Sequence, residues 1–223
     1  MSISDALFPA GTLVVFQGDS ITHGGRGPTE DPNHILGHSY PFLIAAEAAA
    51  RHPQRGWRFV NRGISGDTVP KLAARWERDA LDHQPDVLSI LVGVNDVAEV
   101  MEGRSGDATG QDFRSGYDQL LKRTRAELPE VRLVLGEPFY LPTSPKPALR
   151  ELWATRVATY AAVVRELADA HDATLVPCQR ALDAAAGRAP ASHWIWDGIH
   201  PTYAGQRVLA DAWIEAVSTS PVS

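Results

Sequence analysis

The chain has little of what disulfide-stapled, secreted or membrane-spanning proteins need. Cys178 is the one cysteine among 223 residues, so no internal disulfide can form and a reducing compartment suits the chain. The first ten residues hold no basic segment ahead of an apolar run, so they do not predict a signal peptide. No apolar stretch approaches the length of a membrane span. We therefore expect a cytoplasmic protein without a membrane partner.

Acidic residues outnumber basic ones in the sequence. The formal net charge is −6, which argues against a nucleic acid as partner because phosphate binding needs a basic face. The hydrophobic fraction of 44% and the charged fraction of 22% are ordinary for a globular protein. The length suits one domain over residues 1–223, and no linker or repeat divides it. Alanine-rich helix faces and tryptophans would suit a homo-oligomer interface as well as a core.

Short apolar runs alternate with longer segments of helical periodicity. The runs are partly β-branched or aromatic and lack strict alternation, which is typical of parallel strands covered on both faces. The predicted strands are 13–16, 59–60, 87–92, 133–135 and 175–176, and the predicted helices are 40–51, 69–81, 112–128, 148–171 and 203–217. This alternation predicts right-handed βαβ units, and hence an α/β fold with a parallel sheet between helix layers.

Three connections are long for such a fold: 22–39, 103–111 and 139–147. Long loops in compact domains are usually functional or disordered, and open parallel sheets bind ligands at the carboxyl ends of their strands. The first loop follows the first strand and so belongs at that edge. It contains His23, His34 and His38, whose spacing matches no common zinc pattern, so we predict no metal.

The segment from Gly18 to Thr22 places a serine where the first strand ends. A glycine lets the backbone bend sharply there, which would present Ser20 at the sheet edge as a candidate nucleophile. Seen alone, a simple turn or a helix N-cap is the commoner explanation of this segment.

A serine hydroxyl is a poor nucleophile unless a base takes its proton. His200 is the candidate base. Asp197 precedes it by three residues and could bond one ring nitrogen, which leaves the other for Ser20. The alternative is a surface turn with Pro201 at the start of the last helix.

Two further segments offer hydrogen-bond donors for an oxyanion. Asn95 follows the very apolar third strand and could donate from its amide, and Gly63 follows the second strand and could bring a backbone N–H close. Seen singly, a helix-capping asparagine and a glycine turn are the commoner explanations. Taken together, the four segments converge on one rim, as ester hydrolysis requires.

The four blocks Gly-Asp-Ser-Ile-Thr, Asn-x-Gly-x-x-Gly, Gly-x-Asn-Asp and Asp-x-x-His-Pro resemble those of the SGNH/GDSL hydrolases, in that family's order and over nearly the whole chain. Residues 74–76 and 137–139 look most like the acetylxylan esterase branch. The resemblance implies a flavodoxin-like three-layer α/β/α sandwich with a five-stranded parallel sheet of order 2-1-3-4-5. It also implies no cofactor.

The resemblance assigns roles to the candidate residues. Ser20 would be the nucleophile, with Asp197 and His200 as acid and base. The backbone N–H groups of Ser20 and Gly63 and the side chain of Asn95 would form the oxyanion hole.

Because the acetylxylan esterase branch removes acetyl groups from sugars, we expect a serine esterase that hydrolyses acetyl or other short-chain esters of carbohydrates through an acyl-enzyme. Candidate substrate-binding residues are Arg26, Trp194 and Trp196; an exposed indole could pack on a sugar ring, while a core position is the alternative for both tryptophans. His23 and Ala98 depart from the branch, which often has an acidic residue and a tryptophan there. A lysophospholipase or thioesterase with the same triad, and a non-catalytic carbohydrate-binding domain, are the rival hypotheses.

Overall fold

The computed structural model describes residues 3–4, 7–29, 31–32, 34–143 and 146–219. Within these ranges, five parallel strands form a sheet of order β2-β1-β3-β4-β5. The strands are β1 (Leu13–Gly18), β2 (Arg58–Asn61), β3 (Val87–Leu91), β4 (Arg132–Gly136) and β5 (Thr174–Val176). The predicted order and the all-parallel pairing are confirmed.

Helices connect the strands and cover both faces of the sheet. They are α1 (Ser20–His23), α2 (Tyr40–Arg51), α3 (Val69–Ala74), α4 (Trp76–Asp79), α5 (Val94–Met101), α6 (Gln111–Glu127), α7 (Pro147–Ala170), α8 (Cys178–Ala186), α9 (Ala191–Trp194) and α10 (Tyr203–Thr219), with 3₁₀ turns at Pro53–Arg55 and Leu81–His83. The short helices α1, α5, α8 and α9 were not predicted, because a few turns carry little periodic signal.

The prediction of one continuous helix over 69–81 is wrong. Arg75 leaves the helical conformation, with φ −122° and ψ 9°, and separates α3 from α4. Its side chain turns back toward Asp67 and the carboxyl end of β2, so long-range contacts override the local helical pattern at this residue.

Alternate residues of each central strand face opposite helix layers. Val14 and Phe16 of β1 belong to a core with Trp213 of α10, whereas Val15 belongs to a second core with Trp76 of α4. Both of these indole N–H groups donate to a hydroxyl: Trp213 Nε1 to Ser89 at 3.0 Å, and Trp76 Nε1 to Thr124 at 3.0 Å. Two apolar cores on one sheet are the three-layer arrangement that was predicted.

The register brings the carboxyl ends of β1, β2 and β3 to one edge of the sheet. Phe16 pairs with Asn61, and Gly18 pairs with Leu91. The segments that follow these residues therefore emerge side by side. In the described part of the chain, no helix is both long and apolar enough to cross a membrane.

Candidate active site

Gly18 lets the backbone turn sharply after β1, and Ser20 follows two residues later in a half-buried position. Gly18 has φ +151°, and a Cβ there would collide with the carbonyl oxygen of Leu91. Asp19 caps the turn that follows by accepting the N–H of Ile21 at 2.9 Å. Ser20 thus becomes the first residue of α1, where its own N–H has no acceptor inside the helix.

A continuous series of hydrogen bonds joins Ser20, His200 and Asp197. The Ser20 Oγ lies 2.8 Å from His200 Nε2, and His200 Nδ1 lies 2.6 Å from Asp197 Oδ2. A carboxylate on one ring nitrogen leaves the other nitrogen unprotonated and facing the hydroxyl. The structure therefore brings together three side chains that were predicted to meet from distant motifs.

The Asp197 carboxylate is held by the turn that carries His200. Its Oδ1 accepts the backbone N–H groups of Ile199 at 3.1 Å and His200 at 2.8 Å. Partial burial opposes ionisation, but these bonds and the imidazole outweigh it and lower the pKa of Asp197 below its usual value. The carboxylate is thus charged and fixed before substrate arrives.

Asn95 is the second residue of α5, directly after the turn that follows β3. Its Nδ2 donates one hydrogen bond to the backbone oxygen of Asp67 at 3.0 Å. An amide nitrogen carries two hydrogens, and no acceptor in the described part of the chain takes the second one, so it can reach a ligand. The contact with Asp67 fixes the direction in which that hydrogen points.

Gly63 lies against the start of the first loop, since a Cβ there would collide with the backbone nitrogen of His23. Its N–H already donates to the side-chain oxygen of Asn61 at 2.9 Å. The Asn61 amide nitrogen in turn donates to the carbonyls of Thr22 at 2.7 Å and Leu36 at 2.9 Å. An oxyanion at Gly63 must therefore share the N–H with a firmly held acceptor, a feature that the motif alone does not reveal.

Two buried carboxyl groups lie next to the candidate catalytic residues. Burial outweighs the hydrogen bond from Ile21 and raises the pKa of Asp19 to about 7. Burial likewise outweighs the bond from the Val69 N–H, at 3.0 Å, and raises the pKa of Asp96 to about 7. Each carboxyl is thus protonated more readily than an exposed aspartate.

The two tryptophans predicted to bind substrate have different surroundings. Trp194 is only 8% exposed, belongs to the core and donates from Nε1 to the carbonyl of Ala189 at 3.2 Å. The expectation that it contacts substrate is therefore corrected: its indole takes the core position, which was the alternative. Trp196 is 67% exposed and stacks beside the His200 ring, with centroids 6.1 Å apart and planes at 24°.

The remaining candidates lie in the first loop. Arg26 is partly buried and donates from Nε to the carbonyl of Gly63 at 3.0 Å. His23 Nδ1 lies 3.2 Å from the Ser65 hydroxyl, and His34 pairs with Asp31. Over the ranges that the structure describes, no three histidine, cysteine or acidic side chains converge as a metal would require.

Comparison with known proteins shows the family of the chain. The profile of the GDSL-like lipase/acylhydrolase family matches residues 16–208. The chain is 30% identical over 214 residues to an acetylxylan esterase from Geobacillus stearothermophilus, with 93% of this chain and 94% of that protein covered.

Solved structures with the same fold include a crystal structure of an acetylxylan esterase from G. stearothermophilus (TM-score 0.83, 27% identity, 95% of this chain and 96% of that chain covered). Another is an α/β hydrolase enzyme from the metagenome of Lake Arreo, Spain (TM-score 0.84, 31% identity, 95% and 97% covered). Two further structures of the acetylxylan esterase are catalytic mutants, with an aspartate or a serine replaced by alanine. This chain therefore belongs to the GDSL-like lipase/acylhydrolase family and is a carboxylic ester hydrolase.

Proposed function

We propose that the chain hydrolyses acetyl esters of carbohydrates through an acyl-enzyme on Ser20. The observation that carries the proposal is the hydrogen-bonded chain from the Ser20 hydroxyl through His200 to Asp197, at 2.8 and 2.6 Å. These are the separations at which a base takes a proton from a nucleophile. The acetylxylan esterase from G. stearothermophilus, whose aspartate and serine variants are catalytic mutants, supports the same assignment.

In the first half-reaction the Ser20 oxygen attacks the ester carbonyl carbon while its proton passes to His200 Nε2. The tetrahedral intermediate collapses as His200 returns that proton to the leaving alcohol, which leaves the acyl group on Ser20. In the second half-reaction His200 takes a proton from water, and the hydroxide oxygen attacks the acyl carbon. His200 then protonates Ser20, and the carboxylic acid departs.

The negative charge that develops on the carbonyl oxygen needs donors that are already in place. The N–H of Ser20 at the start of α1 and the second amide hydrogen of Asn95 meet this requirement. We assign the Gly63 N–H as a third donor, one that the oxyanion shares with the side-chain oxygen of Asn61.

Replacing Asn95 with alanine is expected to lower kcat by about 10²–10³, the cost of losing one oxyanion donor. KM should change little, because the charge is present in the transition state and not in the ester. Steady-state kinetics on p-nitrophenyl acetate measure both constants, with thermal unfolding as the check that the variant is folded. An unchanged kcat in a folded variant removes Asn95 from the oxyanion hole.

Carbohydrate specificity is proposed from the exposed indole of Trp196 beside His200 and from the acetylxylan esterase relatives. A sugar ring that covers about 50 Å² of the indole would contribute about 1.3 kcal/mol at about 25 cal/mol per Å². Trp196→Ala should therefore raise KM for an acetylated xylo-oligosaccharide about tenfold. Hydrolysis of p-nitrophenyl acetate, which has no sugar ring, should stay within about twofold of wild type.

Acetate release from a panel of acetylated sugars and oligosaccharides tests the substrate class directly. p-Nitrophenyl esters of increasing chain length, run alongside, report the preferred acyl group. A preference for long-chain esters would favour a lysophospholipase or thioesterase activity over the proposed carbohydrate esterase activity. If no ester is hydrolysed and an organophosphonate does not label Ser20, the results would favour a non-catalytic carbohydrate-binding domain.

A further inference from the structure

We propose that Arg75 is a positioning residue that sets the geometry of the oxyanion donors. It lies at the break between α3 and α4, and its side chain is only 9% exposed. The inference rests on the proposed roles of Ser20, Gly63 and Asn95, and adds to them a residue that does not touch the substrate.

The guanidinium of Arg75 contacts the ends of two strands and one loop at once. Its Nε donates to Asp67 Oδ2 at 2.7 Å, and its Nη1 donates to the backbone carbonyl of Arg62 at 2.8 Å. Its Nη2 lies 3.5 Å from the backbone carbonyl of Gly18. A guanidinium is planar and presents its donors in a fixed fork. The Asp67 carboxylate and the two backbone carbonyls are therefore held near one plane.

Each of these contacts lies next to one of the proposed donors. Arg62 directly precedes Gly63, and Gly18 stands two residues before Ser20. The backbone oxygen of Asp67 accepts the Asn95 amide at 3.0 Å, so the orientation of Asn95 depends on where Asp67 is held. One side chain therefore connects, through neighbouring residues, to all three donors.

The buried charge of Arg75 is compensated by two carboxylates. Asp67 bonds Nε, and Asp79, at the end of α4, lies 3.2 Å from Nη1. A buried pair is weak evidence for stability, because burying the ions costs about as much as their attraction returns. Fixing the relative positions of β1, β2 and the Asp67 loop is a more direct account of this arrangement.

Arg75→Lys keeps the charge but loses the fork, since an ammonium has no planar set of donors. Misplacing catalytic groups by about 1 Å from a distance can cost about 10² in rate. We expect kcat to fall about 10- to 100-fold, with KM within about twofold of wild type. The matched control is Arg132→Lys: Arg132, at the opposite end of the sheet in β4, donates to the Val217 carbonyl at 2.7 Å, and kcat of this variant should stay within about twofold.

A double-mutant cycle separates positioning from a general loss of stability. If Arg75 acts through the donors, the fold-loss in kcat from Arg75→Lys should shrink at least threefold in an Asn95→Ala background. If the fold-losses in kcat from Arg75→Lys and Asn95→Ala simply multiply in the double variant, the proposal is overturned. A kcat for Arg75→Lys equal to that of Arg132→Lys overturns it as well.

A second variant covers the case in which Arg75→Lys does not fold. Asp67→Asn retains the backbone carbonyl that holds Asn95 and removes the charge that holds Arg75. It should lower kcat in the same direction, again with a smaller loss when Asn95 is already alanine; a kcat equal to wild type overturns the proposal. Ser20→Ala and Asn95→Ala in the same assay test the proposed function itself. If both lose activity as expected, a negative result with the Arg75 and Asp67 variants contradicts only the positioning role of Arg75.

Discussion

Replacing Ser20 with alanine is expected to lower kcat by about 10⁶, the scale of loss seen when a serine protease loses its nucleophile. The removed oxygen is the atom that attacks the ester, and it lies 2.8 Å from His200 Nε2. Alanine retains the backbone N–H at the start of α1, and the Asp19 cap on Ile21 does not involve the lost hydroxyl. The free energy of unfolding should therefore stay within about 0.5 kcal/mol of wild type.

Acetate release and p-nitrophenyl acetate hydrolysis measure this loss, and thermal unfolding measures the stability. Ser65→Ala is the matched control. Ser65 lies on the same rim and bonds the ring of His23 at 3.2 Å, and it takes no part in the hydrogen bonds that join Ser20, His200 and Asp197. Ser65→Ala should retain full activity. Wild-type turnover in folded Ser20→Ala would remove the acyl-enzyme proposal entirely.

The sheet and the meeting of distant motifs could be predicted because they follow from strong, short-range signals. The apolar run that became β3 has no polar interruption beyond Ser89 and is buried on both faces, as parallel strands require. Once the strands are parallel, the residues that follow their carboxyl ends must share one edge. Ser20, Gly63 and Asn95 could therefore be placed together before any distance was known.

Side-chain contacts between elements could not be predicted in the same way. Arg75 lies within an ordinary helical pattern, and the sequence does not reveal its bonds to Asp67 and Arg62, which coincide with the end of the helix. The bond from the Gly63 N–H to Asn61 depends on how the first loop folds back over β2. Trp194 and Trp196 are separated by one residue, and the local sequence does not say which indole faces the core.

Replacing Asp197 with asparagine should lower kcat by about 10⁴, as the same change does in a serine protease triad. The asparagine side-chain oxygen can still accept the N–H groups of Ile199 and His200, so the turn should survive. What is lost is the charge 2.6 Å from His200 Nδ1, which selects the tautomer with Nε2 free and stabilises the imidazolium as it forms. The effect is thus on catalysis and not on the backbone.

The pKa of Asp197 is lowered because its bonds to His200 and Ile199 outweigh the partial burial that opposes ionisation. The wild-type carboxylate therefore stays charged from neutral to mildly acidic pH, and the gap between wild type and Asp197→Asn should persist across that range. Asp183→Asn is the matched control: this exposed aspartate of α8 bonds the Gln179 amide at 2.9 Å, and kcat should not change. If Asp197→Asn retained more than a tenth of wild-type kcat, Asp197 would serve the turn alone, and His200 would draw its basicity from elsewhere.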